Sequence, residues 1–226
     1  PKGTIFNVNS IGDRAFSMDT NFGWRYWVAP GGTEPVFESA MINKGTVNLN
    51  VEKTAAFDIQ TDTTRGEDPN HPGDKDYVTG KRLYGINKGQ IIGHADNQVA
   101  MTLTREQEPG VEEHIFKNEE DGTITMNGNG SMAFSYSVQG LHVETYNKGK
   151  INLNGKNSYA FAFGKYRDSY FGKEGHIVIE MEGFVDINGD NSGAFAFQEM
   201  LGNWYKKADG KWDMDSDGSY FLQDVS

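Results

Sequence analysis

A chain of 226 residues with 28 glycines, 6 prolines and no cysteine can build one sizeable core, but it can hold no disulfide, thiolate metal site or cysteine nucleophile. A net charge of −11 argues against nucleic-acid binding, because no basic stripe is available to displace counterions; an acidic surface suits a soluble extracellular stalk. No signal peptide, transmembrane run or lipid motif is visible, and the sequence reads as a segment of something longer, 1–226 forming one domain of it.

Along the chain one short phrase recurs about six times, and such self-similarity decides the fold ahead of local propensity. Its copies lead with Gly3, Gly45, Gly89, Gly122, Gly149 and Gly183. Two residues on comes a branched apolar residue (Ile5, Val47, Ile91, Ile124, Ile151, Val185), and four residues on a second apolar one in most copies (Leu49, Met126, Leu153, Ile187). The alternation with polar residues predicts a half-buried strand. A turn follows, with Gly128, Gly155 or Gly189 and then Asn97, Asn129, Asn157 or Asn191. Gly and Asn tolerate the left-handed backbone of a tight corner.

Eleven residues from the origin stands alanine: Ala56, Ala100, Ala133, Ala160 and Ala194. Bulky residues follow at alternate positions, as in Phe57/Ile59, Phe134/Tyr136 and Phe161/Phe163. These aromatics are expected to stack as core ladders. Two copies depart from the pattern. The first carries an insertion around Phe6 to Val8, so that Ala15 fits with one extra residue; the third has Gly93 at the second apolar place.

Successive leading glycines lie 42, 44, 33, 27 and 34 residues apart. A helical repeat would lose its apolar face under such variation, whereas a parallel stack of coils lets an insertion bulge outward at a corner. The expectation is an all-β, right-handed parallel β-helix (β-solenoid) of about six irregular coils with protruding insertions. At a strand separation of about 4.8 Å it would stand roughly 25–30 Å tall. Asparagines at matching corners are expected to form a ladder along the axis, and an open end would expose a sheet edge.

The interruptions hold the candidate chemistry. The first contains Trp24, Arg25, Tyr26 and Trp27, the densest aromatic–cation cluster, which reads either as a packed strand face or as an anchor for a sugar or protein partner. The second, Thr61 to Tyr84, reads as a protruding polar loop in which His71, Asp68 and Asp74 fix no ligand geometry. The third, Thr104 to Asp121, carries Glu106, Glu108, Glu112, Glu113, Glu119 and Glu120 with His114, and reads as a charged solvated face. At the end, Asp213, Asp215, Asp217 and Asp224 with Gly218 match the spacing of an oxygen-ligand Ca2+ loop. Against Ca2+ stand glycines where a flanking helix is needed and Asp rather than Glu at the twelfth position; a plain acidic turn is the competing reading. Trp204, Tyr205 and Trp212 form a second aromatic group.

The copies at 147–163, 120–136 and 183–197, of the form N-x-G-x-I-x-L-x-G-x-x-S-x-A-F-x-F, resemble the repeats in passenger domains of large autotransporter adhesins, particularly of fusobacterial type. That resemblance implies a long β-helix secreted by the type V route and displayed on the outer membrane, to which other parts of the parent chain tether it, with inter-coil insertions acting in adhesion. The expected function is attachment to a host or bacterial cell-surface protein or glycan through loops on a rigid mast, without catalysis and with no cofactor beyond a structural Ca2+. Two alternatives stand beside it: a carbohydrate-active β-helix enzyme using carboxylates such as Glu112 and Glu113, and a spacer with no partner of its own.

Overall fold

A computed structural model describes residues 3–19, 37–60, 81–105, 112–136, 142–163, 176–197, 204–206 and 212–214. Their regular structure is entirely β, in three parallel sheets and one hairpin. The first sheet stacks β1 (Ile5–Val8), β4 (Thr46–Leu49), β7 (Gln90–Gly93), β10 (Thr123–Met126), β13 (Lys150–Leu153) and β16 (Phe184–Ile187). The second stacks β2 (Arg14–Asp19), β5 (Ala55–Gln60), β8 (Val99–Arg105), β11 (Met132–Tyr136), β14 (Tyr159–Phe163) and β17 (Gly193–Phe197). The third stacks β3 (Phe37–Asn43), β6 (Lys81–Asn87), β9 (Glu112–Asn118), β12 (His142–Asn147) and β15 (His176–Met181). Consecutive strands pass from one sheet to the next, so the chain winds six coils of a parallel β-helix. The separate hairpin is antiparallel, β18 (Trp204–Lys206) against β19 (Trp212–Met214).

Each of the first five coils has three strands where the repeat alone predicts two; among the described residues the sixth has two. The third strand lies in the back half of each interruption. It hid because its inward positions are chemically mixed: Ser39, Leu83, His114 and Val143 share one column. The segment from Thr104 is therefore not a solvated face throughout, since Glu112–Asn118 is a strand and His114 is fully buried.

The first two sheets supply most of the core. In β4, β10 and β13 the period-two pattern buries Val47, Leu49, Ile124, Met126, Ile151 and Leu153 completely. In the second sheet Ala56, Ala100, Ala133 and Ala160 are fully buried together with the residue that follows each of them. Two consecutive inward side chains crowd a strand, and alanine is the one that can be spared volume. Next to that column runs Phe16, Phe57, Met101, Phe134, Phe161, Phe195. Phe134 and Phe161 stack at 5.2 Å between ring centroids and 3° between planes. Burial of each such ring contributes about 1.5–3 kcal/mol, and aromatic pairing adds about 0.5–1.5 kcal/mol. Tyr136 in the second sheet and Thr145 in the third hydrogen-bond through their hydroxyls inside the core, and burial pushes the Tyr136 hydroxyl pKa up.

The register corrects the first copy. Ile5 lies against Thr46 and Val8 against Leu49, so Thr4 stands beneath Gly45 and no residue is inserted. Phe6, not Ile5, occupies the inward column of Val47. The reason is steric: a Cβ on Gly45 would lie 2.1 Å from the Thr4 carbonyl oxygen, and one on Gly89 would lie 2.1 Å from that of Gly45. The glycine is needed where a coil lies beneath, and among the described residues none lies beneath Thr4.

At the corner between the first and second sheets, Asn97, Asn157 and Asn191 take the left-handed conformation expected of them, at φ 53–56°. Asn129 does not. Gly130 holds that conformation in its coil, at φ 64°, while Asn129 accepts a hydrogen bond at Oδ1 from the Lys156 amide. Nor do these asparagines form the ladder. One ladder runs along the corner between the third and first sheets, where Asn43 Nδ2 donates to Asn87 Oδ1, Asn87 to Asn118 and Asn118 to Asn147, at 2.8–2.9 Å. It ends where Met181 takes the place of asparagine, and the buried Asn147 Nδ2 has no acceptor among the described residues. Met181→Asn is expected to supply that acceptor and stabilise the fold by about 1 kcal/mol, read as a higher urea midpoint at unchanged slope.

The irregular third copy is repaired from within. With Gly93 in place of the second apolar residue, the fully buried Gln98 fills the gap. Its Nε2 donates to the carbonyls of Leu49 and Val51, and its Oε1 accepts from the Ala95 amide. A Cβ on Gly93 would come within 2.8 Å of that Oε1.

Candidate functional site

The corner between the first and second sheets keeps one length throughout, running from Leu49 to Ala55, from Gly93 to Val99 and from Met126 to Met132. The corner between the third and first varies only where β9 passes to β10. Every large difference in repeat length falls at the corner between the second and third sheets, at residues 20–36, 61–80, 106–111, 137–141 and 164–175. All the inserts therefore leave the solenoid along one edge, coil above coil. A ladder of paired strands tolerates variation only where the chain leaves it, and here the other two corners are locked by the glycine columns and the asparagine ladder.

The strand ends beside that edge carry charge. One row of the third sheet, in register, reads Glu38, Arg82, Glu113, His142, His176. Arg82 Nη1 lies 3.6 Å from Glu38 Oε1, and the Tyr84 hydroxyl donates to the same carboxylate at 3.3 Å. Further along the outer face, Lys117 Nζ sits between two rings, 5.7 Å from the centroid of Tyr84 and 5.3 Å from that of Tyr146. Each such contact contributes about 0.5–1 kcal/mol at an exposed site. The Tyr146 hydroxyl donates to Glu144 at 2.7 Å, and chiefly for that reason its pKa is pushed up to about 12. The sequence does not show this face because its residues are spread over five coils. The available signal was the asparagine two residues ahead of Gly45, Gly89 and Gly149, which marks the end of a strand.

The anchors expected from sequence, Trp24, Arg25, Tyr26 and Trp27, belong to the insert that joins β2 to β3, outside the described residues. His71, Asp68, Asp74, Glu106 and Glu108 are also outside them. Glu112 and Glu113 are neighbours in β9, in register with Lys81 and Arg82, while Glu119 and Glu120 lie at the following corner. Asp213 falls on β19, and Asp215, Asp217 and Asp224 lie outside the described residues. Ahead of the acidic loop the described residues, Trp204–Lys206 and Trp212–Met214, are strands. Trp204, Tyr205 and Trp212 belong to the hairpin. Among the described residues no group of three or more His, Asp or Glu could hold a metal ion, and no helix is long and apolar enough to cross a membrane.

No curated protein and no solved structure matches the chain. A family model described as the BigA fourth domain matches residues 75–206, more than half of the chain, from the second insert through the last four coils to the hairpin. The chain belongs to the BigA fourth-domain family.

Proposed function

We propose that this chain is a surface-displayed adhesin segment that attaches to a host or bacterial cell-surface protein or glycan through the inserts along one edge of its β-helix. BigA is a bacterial surface adhesin, which makes an adhesin-like role the reading favoured by family. The observation that carries the mechanism is the placement of all the inserts at one corner. A rigid stack with a regular rise between coils presents them side by side, so several weak contacts engage one surface at once. The aromatic–cation cluster Trp24 to Trp27 sits in one of these inserts, and Trp, Tyr and Arg are the residues that dominate binding hot spots. In this reading the chain is not an enzyme: Glu112 and Glu113 are successive residues of one strand, with Lys81 and Arg82 as their register partners in the coil below. The finer assignment is to an autotransporter-type passenger of the fusobacterial kind, tethered to the outer membrane by other parts of its parent, with Asp213, Asp215, Asp217 and Asp224 as a structural Ca2+ loop.

The test is binding of the purified chain, with Ca2+ and with EDTA, to a glycan array and to panels of host and bacterial cells. Trp27→Ala is expected to weaken saturable binding by about thirtyfold, a hot-spot loss of about 2 kcal/mol. The melting temperature should stay within about 2 °C. A large fall in Tm would place the cluster in the packing instead. Absence of binding anywhere by the folded chain would leave the spacer reading.

A further inference from the structure

The outer face of the first sheet is unlike the rest of this acidic chain. Over the second to fifth coils, the outward positions of each strand and of the residue that follows it carry two ionisable side chains, His94 and Lys150. Lys150 Nζ is already paired with Asp186 Oδ2 at 2.8 Å, and the whole chain carries a net charge of −11. Ile92 is the one apolar side chain on these positions; the others are amides and hydroxyls. The remaining sheets differ: the third turns Tyr84, Lys117 and Glu144 outward, and in the second the outward Asp58, Thr102 and Ala162 are buried.

The amides of this face are held in place. Along one column Asn48 Nδ2 donates to Asn7 Oδ1 at 2.9 Å and Asn152 Nδ2 to Thr125 Oγ1 at 3.0 Å. Along the next, Asn50 donates to Asn9 and Asn154 to Asn127, both at 2.8 Å. Each donating amide spends one N–H on the coil below and keeps a second N–H and a carbonyl lone pair. The third column holds Thr46, Gln90 and Thr123, whose side chains make no hydrogen bond among the described residues. Rows stand about 4.8 Å apart and columns about 6.6 Å apart, so the face is a grid of neutral donors and acceptors. No insert leaves at either border of this sheet, and the edge that bears the inserts joins the other two sheets on the far side of each coil.

We propose that this face is a second binding surface, for an extended, uncharged polysaccharide. Charge selects the class of partner. An anionic polymer would find one lysine, already paired, and a protein partner would find none of the Tyr, Trp and Arg anchors that dominate protein interfaces. An uncharged sugar chain needs what the face offers, donors and acceptors set side by side, because neighbouring sugar hydroxyls each donate and accept. The ladder fixes the amides before contact, so little side-chain freedom is lost on binding. A polymer lying along the axis repeats the weak contact coil after coil. The surface shares no residue with the inserts and does not depend on their having a partner.

The experiment is electrophoresis of the purified 226-residue chain through native gels cast with dextran, galactomannan or hydroxyethyl cellulose. Polygalacturonate serves as the acidic polymer and a polymer-free gel as the reference. The expected result is a relative mobility that falls as the concentration of at least one neutral polymer rises, with less effect from polygalacturonate. Gln90→Glu combined with Thr123→Val turns an amide into a carboxylate and removes a hydroxyl at nearly constant volume, and should weaken the apparent affinity at least about tenfold. Glu180→Gln, on the outer face of the third sheet, should bind as the parent does. Melting temperatures check that each variant keeps the fold. Should the double variant melt early, Gln90→Glu alone, at an exposed position, carries the same test with a loss of about threefold. No retardation by any neutral polymer, stronger retardation by polygalacturonate, or a folded double variant retarded like the parent would each overturn the proposal. The last of these would move sugar binding to the inserts and leave the adhesin reading standing.

Discussion

Replacing Gly155 with alanine is expected to prevent the chain from folding, or to cost more than about 4 kcal/mol if it still folds. The added Cβ would lie 1.9 Å from the carbonyl oxygen of Gly128 and 2.3 Å from its carbonyl carbon. Neither atom belongs to a side chain that can turn away. Gly189 meets the Gly155 carbonyl oxygen at the same 1.9 Å, so coil rests on coil through a column of bare backbone. Relief would require the coils to part at this corner, and the flanking ladders of β13 on β10 and β14 on β11 hold them at the spacing of paired strands. The glycine is demanded by close approach rather than by a left-handed backbone. Gly193→Ala is the control. There the new Cβ would meet the Tyr159 ring at 3.5 and 3.6 Å and the Phe195 carbonyl oxygen at 3.7 Å, all ordinary van der Waals contacts, and a mid-strand glycine is the less stable choice by about 0.5–1 kcal/mol, so stability should hold or rise. Circular dichroism melts of the two variants give the comparison. A Gly155→Ala chain that melts within a few degrees of the parent would refute the tight stack.

The same steric rule decides what could be read from the sequence and what could not. The alanine column and the Phe–Phe stacks were legible because volume at those positions is forced by the coil above and below, as for Ala133 with Phe134 over Ala100 with Met101. The glycine columns were legible for the same reason. Where none of the described coils presses from beneath, the pattern relaxes: Thr4 stands in the leading glycine's place, and Gly3, the glycine visible in the sequence, is one residue out of register. The third strand escaped because its inward residues satisfy one another by hydrogen bonds as well as by volume. Thr145 meets the Tyr136 hydroxyl, and Asn43 begins the buried ladder, so polar residues sit where apolar alternation was sought. The edge that bears the inserts could be inferred only once that strand was found, since the strand fixes which corner each insert occupies.

The separation of locked corners from one permissive corner also has a functional consequence. Insert length differs there from coil to coil while the register of the described strands is kept, and in the adhesin reading proposed above recognition varies while the mast remains the same. That is the arrangement in which a scaffold carries function on its loops. It also means that stability and binding should respond to different residues, and the centre of the asparagine ladder provides the sharpest stability test.

Asn118→Ala is expected to cost about 2–4 kcal/mol. Asn118 Nδ2 donates to Asn147 Oδ1 at 2.8 Å, and its Oδ1 accepts from Asn87 Nδ2 at 2.8 Å, with all three residues buried. Alanine removes both bonds and leaves a buried acceptor on one side and a weakened donor on the other, since Asn87 keeps only a 3.4 Å contact to the Thr123 carbonyl. Each stranded group carries a desolvation penalty of about 1–3 kcal/mol, and the polarisation that runs along a ladder is lost as well. Asn118→Asp should be worse at neutral pH, because a carboxylate cannot donate to Asn147 and brings a charge into a corner with no counter-charge on the ladder. The decisive measurement is a double-mutant cycle. If Asn118 and Asn147 act as one network, the cost of Asn147→Ala should fall by about 0.5–3 kcal/mol once Asn118 is already alanine. Strict additivity would mean that each asparagine contributes through its own strand alone, and that the corner is locked by the glycines without help from the ladder.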